Sequence, residues 1–280
     1  MTAGFVDLHA HSTASDGSAT PEAAVELAAR AGLAAFALTD HDSLAGIAPA
    51  RAVGERLGVR IVAGVELSVV DGEREVHLLG LHIRDATALE ARLATVRLAR
   101  HTRAEAIVGR LNGLGVPLSL DAVLTESAGG AIGRPHIARA LIAGGWVHDL
   151  REAFDRYLGA GRPANVEKAR VTFADGVALI HEFGGLAVIA HPGSEGTRER
   201  LTDLAARGLD GVEVLHPGHA PADVQRLRAL ADELDLLPSG GSDWHGAVTG
   251  MRVLGAMQVP LAWLERHDQR LATRHAALTP

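Results

Sequence analysis

Apolar residues fall in short blocks that alternate with amphipathic stretches along most of the chain. FVDLH, AAFALTDH and VRIVAGVEL have the length and apolar content of buried strands, and TPEAAVELAARAG and LAGIAPARAVGERLG between them carry apolar residues at helical spacing. The alternation predicts βαβα units with parallel strands. The first helix is bounded by its own chemistry: Thr20 as N-cap, Pro21 at the first helical position, Glu22 in the first turn and Gly32 just past the end.

After Glu66 the run ELSVV meets Asp71-Gly72, a two-residue hairpin signal, before EVHLLGLHI resumes a strand pattern. Such a hairpin distorts a regular barrel. From about Asp85 to Lys168 the strand pattern gives way to a helical one broken by glycines, which predicts a helical insertion over 100–165. Strands return as LAVIAH, GVEVLH and LLPSGGSDWH, with helices beginning near Phe173, Thr197 and Pro221. Seven strands counted from Phe5 give an α/β fold, an incomplete (β/α)7 barrel made of 1–99 and 166–280. Residues from about Glu265 read as a polar tail.

Composition narrows the chemistry. No apolar run approaches the roughly 20 residues of a membrane span, and MTAGFVDLHAHS has no basic segment ahead of an apolar one, so the expected compartment is the cytoplasm. The chain has no cysteine, which excludes disulfides and thiolate metal sites, so any bound metal takes nitrogen and oxygen donors. A net charge of −7 and 3% aromatic residues argue against a nucleic-acid coat and favour a small or short phosphorylated substrate. No obligate protein partner is indicated.

The strongest signal is positional. His9 and His11, Asp40 and His41, Glu66, His191, Glu213 and His216, and Asp243 and His245 sit where apolar strands end, which is the active-site face of a βα barrel. His9 and His11 are two apart on a strand and point to one face, so both imidazoles can reach one ion. Asp40 alternates to the other side and reads as a carboxylate that orients a ligand imidazole. Arg134 and His136 flank Pro135 at a helix start, where a guanidinium and an imidazole suit a bound phosphate. His82, His101, His148, His181, His219, His267 and His275 lack the strand-end context and read as ordinary histidines.

DLHAHSTASDGSATPEAA, ALTDHDSLAGIAPA, VAGVELS, VHLLG, GRPHIARAL, VIAHPG, GVEV and GSDWHG, in this order from about Phe5 to about Trp244, resemble the polymerase and histidinol phosphatase (PHP) family. The resemblance implies a distorted seven-stranded TIM-like barrel and three divalent ions of zinc, manganese or iron. It implies that His9, His11, Glu66 and Asp243 hold the first ion, Asp16, His41 and His245 the second, and His77 and His191 the third, with Glu66 bridging first and third. It points to Arg134 and His136 as substrate contacts and leaves His216 as a phosphate contact or proton donor. Lys168 is a further substrate candidate, although Asn165 and Glu167 depart from the family pattern near it.

Clustered cations suit direct hydrolysis of a phosphate ester, with a hydroxide bridging the ions as nucleophile. Within the family the motifs most resemble the branch acting on nucleotide phosphates, including 3′,5′-bisphosphates, and on short 5′-phosphorylated RNA. A histidinol phosphate phosphatase would use largely the same ligands. A non-catalytic PHP module is a third alternative, against which all nine ligand positions are filled.

Overall fold

A computed structural model describes residues 4–127, 132–167 and 171–278. The chain divides into two compact units, Met1–Glu90 with Val171–Pro280, and Ala91–Arg170. Lys168 lies outside the described residues.

The first unit opens with β1 (Phe5–Asp7), α1 (Pro21–Arg30), β2 (Ala35–Leu38), α2 (Ile47–Leu57), β3 (Arg60–Asp71) and β4 (Arg74–Leu81). The helical stretch follows: α3 (Ala86–Gly113), α4 (Leu120–Ser127), α5 (Arg134–Ala143), α6 (Leu150–Ala153) and a π-helical turn over Phe154–Leu158. The second unit's own core packs Ile107 and Leu111 of α3 with Val123, Ile137, Leu141 and Leu158. The first unit then resumes with α7 (Phe173–Glu182), β5 (Leu186–Ile189), α8 (Arg198–Ala206), β6 (Gly211–Leu215), α9 (Pro221–Glu233), β7 (Leu237–Gly240), β8 (Val259–Pro260) and α10 (Leu261–Leu278). The α1 boundaries follow the cap chemistry, with the Thr20 hydroxyl accepting from Ala23 N and Gly32 at φ +72°.

The strands form one sheet in the order β7-β6-β5-β4-β3-β2-β1-β8. β1, β2 and β3 run parallel, as do β5, β6 and β7, while β4 is antiparallel to both neighbours. β4 is reversed because a tight hairpin joins it to β3. Asp71 pairs with Arg74, so the turn residues are Gly72 and Glu73, one position later than Asp71-Gly72 suggests, with Gly72 at φ +64°. Beyond the named strands, Leu8 N donates to Gly240 O at 3.0 Å, Asp243 N to His9 O at 2.9 Å and His11 N to Trp244 O at 2.8 Å. These bonds draw the end of β1 against the end of β7 and nearly close the barrel. Gly241 permits the approach, since a Cβ there would lie 2.4 Å from the His9 nitrogen.

Two features differ from the sequence expectation. An eighth strand, only two residues long, pairs antiparallel with β1 through Phe5–Pro260 and Val6–Val259. The stretch from Glu265 is not a polar tail but most of α10, which buries Trp263, Leu264 and His267. Its outward residues are so polar that the narrow apolar seam is hard to see in the sequence, and packing rather than composition makes it a helix. Arg270 and Arg274 tie the helix back to Asp235 and Asp210. No helix among the described residues is long and apolar enough to cross a membrane.

Because Leu264 is fully buried beneath the barrel, Leu264→Ala is expected to cost about 2–5 kcal/mol of unfolding free energy. Urea denaturation measures it; a polar tail would tolerate the change with no shift in midpoint.

Candidate metal centre

The ladder that begins as β1 and β2 runs on past both strands. Ala10 N and Thr39 Oγ1 lie 3.1 Å apart, Thr39 N donates to Ala10 O at 2.8 Å, and His41 bridges in parallel to Glu66 of β3. Continued extended backbone holds His9 and His11 on one face and brings His41 level with Glu66. On the neighbouring strand His77 pairs with Ser68, making it a diagonal neighbour of Glu66 across the hairpin.

Glu66 is the hub. It is 1% exposed, and its Oε2 lies 3.2 Å from His9 Nε2, 3.1 Å from His11 Nε2 and 3.4 Å from His41 Nδ1. Its Oε1 lies 2.7 Å from His77 Nδ1 and 3.2 Å from His191 Nε2. Asp243 Oδ1 lies 3.4 Å from His9 Nε2 and 3.2 Å from His11 Nε2. Asp16, in the Ser-Asp-Gly turn, approaches His11, His41 and His245 at 3.6, 3.8 and 3.3 Å.

Three donor groups result, each with its atoms within 4.8 Å of one another: His9, His11, Glu66 and Asp243; His11, Asp16, His41 and His245; and His41, Glu66 and His77. His191 joins through Glu66 Oε1. All nine residues singled out as ligands therefore meet at one end of the barrel. The sharing is denser than the expected partition, because His11 and His41 each belong to two groups. The donors also fit cations chemically. Both ring nitrogens of His11 and Nδ1 of His41 are buried with no hydrogen-bond partner, although carboxylate oxygens lie 3.1–3.6 Å away. Buried imidazole nitrogens left unsatisfied beside converging carboxylate oxygens form the donor set that nitrogen- and oxygen-preferring divalent ions take.

Buried carboxylates support the centre from behind. Glu213 of β6 faces His9 Nδ1 at 2.9 Å and accepts from His191 N at 2.7 Å, which puts the His9 proton on Nδ1 and leaves Nε2 free to bind. Asp7 accepts from the backbone of Ser242 and Gly255, both at 3.0 Å. Asp40, expected to orient a ligand imidazole, makes its hydrogen bonds to the loop that follows His11. Its oxygens accept from Ser12 N, Ser12 Oγ and Ser15 Oγ at 2.7–2.8 Å, so it shapes the loop between His11 and Asp16.

His216 is 5% exposed, with Nδ1 accepting from Gly218 N at 3.0 Å and Nε2 facing Asp243 Oδ2 at 3.3 Å. Both nitrogens are thus engaged inside the protein. Glu213 was visible in sequence as the charged residue of an apolar strand, but its duty was not; Arg252, which also contacts Asp243, carried no sequence signal. Arg134 and His136 lie in the other unit at the start of α5. There Arg134 donates to Leu158 O at 3.1 Å and His136 Nδ1 accepts from Gly133 N at 2.9 Å, capping the helix.

The charges are strongly coupled. Burial works to discharge His9, yet Glu213 and Glu66 hold its pKa well above the ordinary value. Burial opposes the charge on Glu66 too, but the surrounding histidines keep its pKa well below the usual carboxylate range. Burial likewise lowers His11, which Asp243 and Glu66 raise to about 9, while His41 is pushed down by burial to about 4. His191 and Asp243 have φ +32° and +48°, a left-handed backbone costing about 1–3 kcal/mol per residue.

Two measurements test this geometry. Glu213→Gln is expected to weaken divalent-metal binding about 10–100-fold, read as metal retained after dialysis against a graded chelator; unchanged retention would remove Glu213 from the centre. The raised His11 pKa stabilises the metal-free fold fully below its ordinary value of 6.5, and that contribution is lost as pH rises through about 9. The metal-free thermal midpoint should therefore fall between those two values, while metal affinity rises as protons cease to compete. Calorimetric scans with and without metal across that range check both signs.

The PHP domain family model matches residues 7–108. The chain is 38% identical over 257 residues to the 3′,5′-nucleoside bisphosphate phosphatase of Chromobacterium violaceum, covering 89% of this chain and 90% of that one. It is 38% identical over 245 residues to the phosphoribosyl 1,2-cyclic phosphate 1,2-diphosphodiesterase of Eggerthella lenta, covering 86% and 94%. It is 36% identical over 247 residues to the 5′-3′ exoribonuclease Rnm of Escherichia coli, covering 85% and 84%. Among solved structures, an assigned metal-dependent phosphoesterase from Bifidobacterium adolescentis superposes with a TM-score of 0.76 at 33% identity, covering 95% of this chain and 96% of that one. With such similarity over nearly its whole length, and with the family's histidines and carboxylates gathered at one end of a barrel, this chain belongs to the PHP family.

Proposed function

We propose that the protein is a metal-dependent phosphoesterase that releases phosphate from nucleotide monoesters, with nucleoside 3′,5′-bisphosphates as the lead substrate class. The observation that carries the reading is Glu66, a buried carboxylate whose two oxygens face five imidazoles, three on one side and two on the other. Such a carboxylate is built to bridge cations. His9, His11, Asp16, His41, Glu66, His77, His191, Asp243 and His245 would hold up to three divalent ions, with manganese, zinc and iron all suited to the donors. Ions held there would withdraw charge from phosphoryl oxygens and ionise water at neutral pH.

The chain's own residues orient and hold charge. Glu213 keeps the His9 lone pair aimed inward, and Asp40 fixes the loop that delivers Asp16. His216 acts through Asp243, since protonating a leaving group would break its existing contact. The helical segment is assigned as a substrate-binding insertion, with Arg134 at the N-terminus of α5, where helix dipole and guanidinium both favour a phosphate, with His136 one turn into the same helix start, and with Lys168 as a further substrate contact. The net charge of −7 and the scarcity of aromatic residues favour a short substrate over a long polymer. The bisphosphate phosphatase relative supports the monoester reading. The exoribonuclease and cyclic phosphate diesterase relatives keep short 5′-phosphorylated RNA and phosphodiesters as the second reading.

The test is turnover by manganese-loaded protein of adenosine 3′,5′-bisphosphate, AMP, histidinol phosphate, a cyclic phosphodiester and a short 5′-phosphorylated RNA, read as phosphate release from the monoesters and as chromatographic appearance of the ring-opened monoester or of nucleoside monophosphates from the last two. Nucleotide monoesters are expected to give the highest kcat/KM, His9→Ala to abolish turnover and Arg134→Ala to raise KM. A win for histidinol phosphate or a diester replaces the lead reading, and no turnover at full metal occupancy reopens the non-catalytic module.

A further inference from the structure

The two carboxylate oxygens of Asp243 have separate surroundings. Oδ1 faces the metal-capable His9 Nε2 at 3.4 Å and His11 Nε2 at 3.2 Å, with His245 Nδ1 farther off at 3.7 Å. Oδ2 faces donors instead. His216 Nδ1 accepts from Gly218 N, so its proton sits on Nε2, which lies 3.3 Å from Oδ2. Arg252 reaches the same Oδ2 through one guanidinium nitrogen.

That nitrogen also lies 3.2 Å from the Asp243 carbonyl oxygen, which accepts a further bond from His245 Nδ1 at 2.9 Å. The second bond fixes the His245 proton on Nδ1 and turns its free Nε2 toward Asp16, 3.3 Å away. Arg252 therefore touches both ends of Asp243, and through the carbonyl it braces His245. The Asp243 backbone is left-handed at φ +48°, a conformation that persists only where its surroundings over-determine it. Arg252 is 48% exposed, so this contact is made at the rim of the centre and not in the packed core.

We propose that Arg252 is a positioning residue of the metal centre: with His216 it occupies Asp243 Oδ2, so that Asp243 offers a cation one oxygen, Oδ1, and His245 offers Nε2. This rests on the reading of the site as a metal centre. A second oxygen turning inward would change the coordination number of the ion between His9 and His11 and loosen the aim of His245. Because a single guanidinium nitrogen makes both contacts, a lysine ammonium could reach the same two oxygens, but on a flexible stem and without the rigid planar group that aims the arginine nitrogen.

The test is cobalt(II) reconstitution of the full chain as wild type, Arg252→Met and Arg252→Lys. Binding is followed by chelator competition, and coordination by the visible absorption of cobalt, which responds to ligand number and geometry. Arg252→Met is expected to bind cobalt at least tenfold more weakly and with lower visible absorptivity as Asp243 turns both oxygens to the ion. Arg252→Lys should fall between it and wild type. An Arg252→Met protein with wild-type affinity and spectrum overturns the proposal. If Arg252→Met does not fold, Arg252→Gln, which removes the charge, decides in its place, and a wild-type spectrum and affinity there are equally fatal. Phosphate release by the wild type is scored separately. Loss of activity with a normal cobalt spectrum overturns the functional reading and leaves Arg252 standing, whereas a wild type that takes up no cobalt overturns both.

Discussion

A carboxylate removed almost wholly from water must be compensated, and Glu66 is compensated by five imidazoles delivered from four separate places in the chain. That demand orders much of the surrounding architecture. His9 and His11 must arrive on an extension of the first strand, His41 on an extension of the second, His77 from a reversed neighbour and His191 from the end of β5. Each has to come within hydrogen-bonding distance without filling the space between. The reversal of β4 follows from the same need. A regular βα unit would put the strand's C-terminal end at this face, whereas the hairpin pairs His77 with Ser68, two residues from Glu66 toward the turn.

Much of this was legible because barrels separate packing from chemistry. Strand interiors such as AFAL and LAVI are uniformly apolar, so a histidine or aspartate at their ends stands out, and a period of two puts His9 and His11 on one face. Helix α1 was equally plain, since Thr20 and Gly32 mark its ends by local bonding alone. What escaped depends on partners distant in sequence. β8 is two residues long and exists only because β1 is beside it. α10 exposes a polar face that hides its seam. The duties of Asp40, Glu213 and Arg252 are set by which atoms stand next to them, and no spacing rule encodes that.

The supporting groups share a physical logic. Imidazole offers one lone pair and one proton when neutral, so holding the proton decides where the lone pair points. Glu213 does this for His9 and the Asp243 carbonyl does it for His245. His216 is fixed by Gly218 in the same manner, but its proton is spent on a carboxylate oxygen and not on orienting itself as a ligand. The left-handed backbones of His191 and Asp243 are the conformational cost of this aiming, and they occur at two of the residues whose direction matters most.

The seam where the end of β1 meets the end of β7 has a topological consequence. Leu8, His9 and His11 bond to Gly240, Asp243 and Trp244, residues from opposite ends of the sequence, and the same short segments supply donors to one cluster. An ion held by His9, His11 and Asp243 would therefore cross-link segments far apart in sequence, the kind of closure that removes the most freedom from an unfolded polypeptide. During synthesis His9 and His11 emerge long before Asp243 and His245, so the complete cluster can form only once the chain has been made past His245.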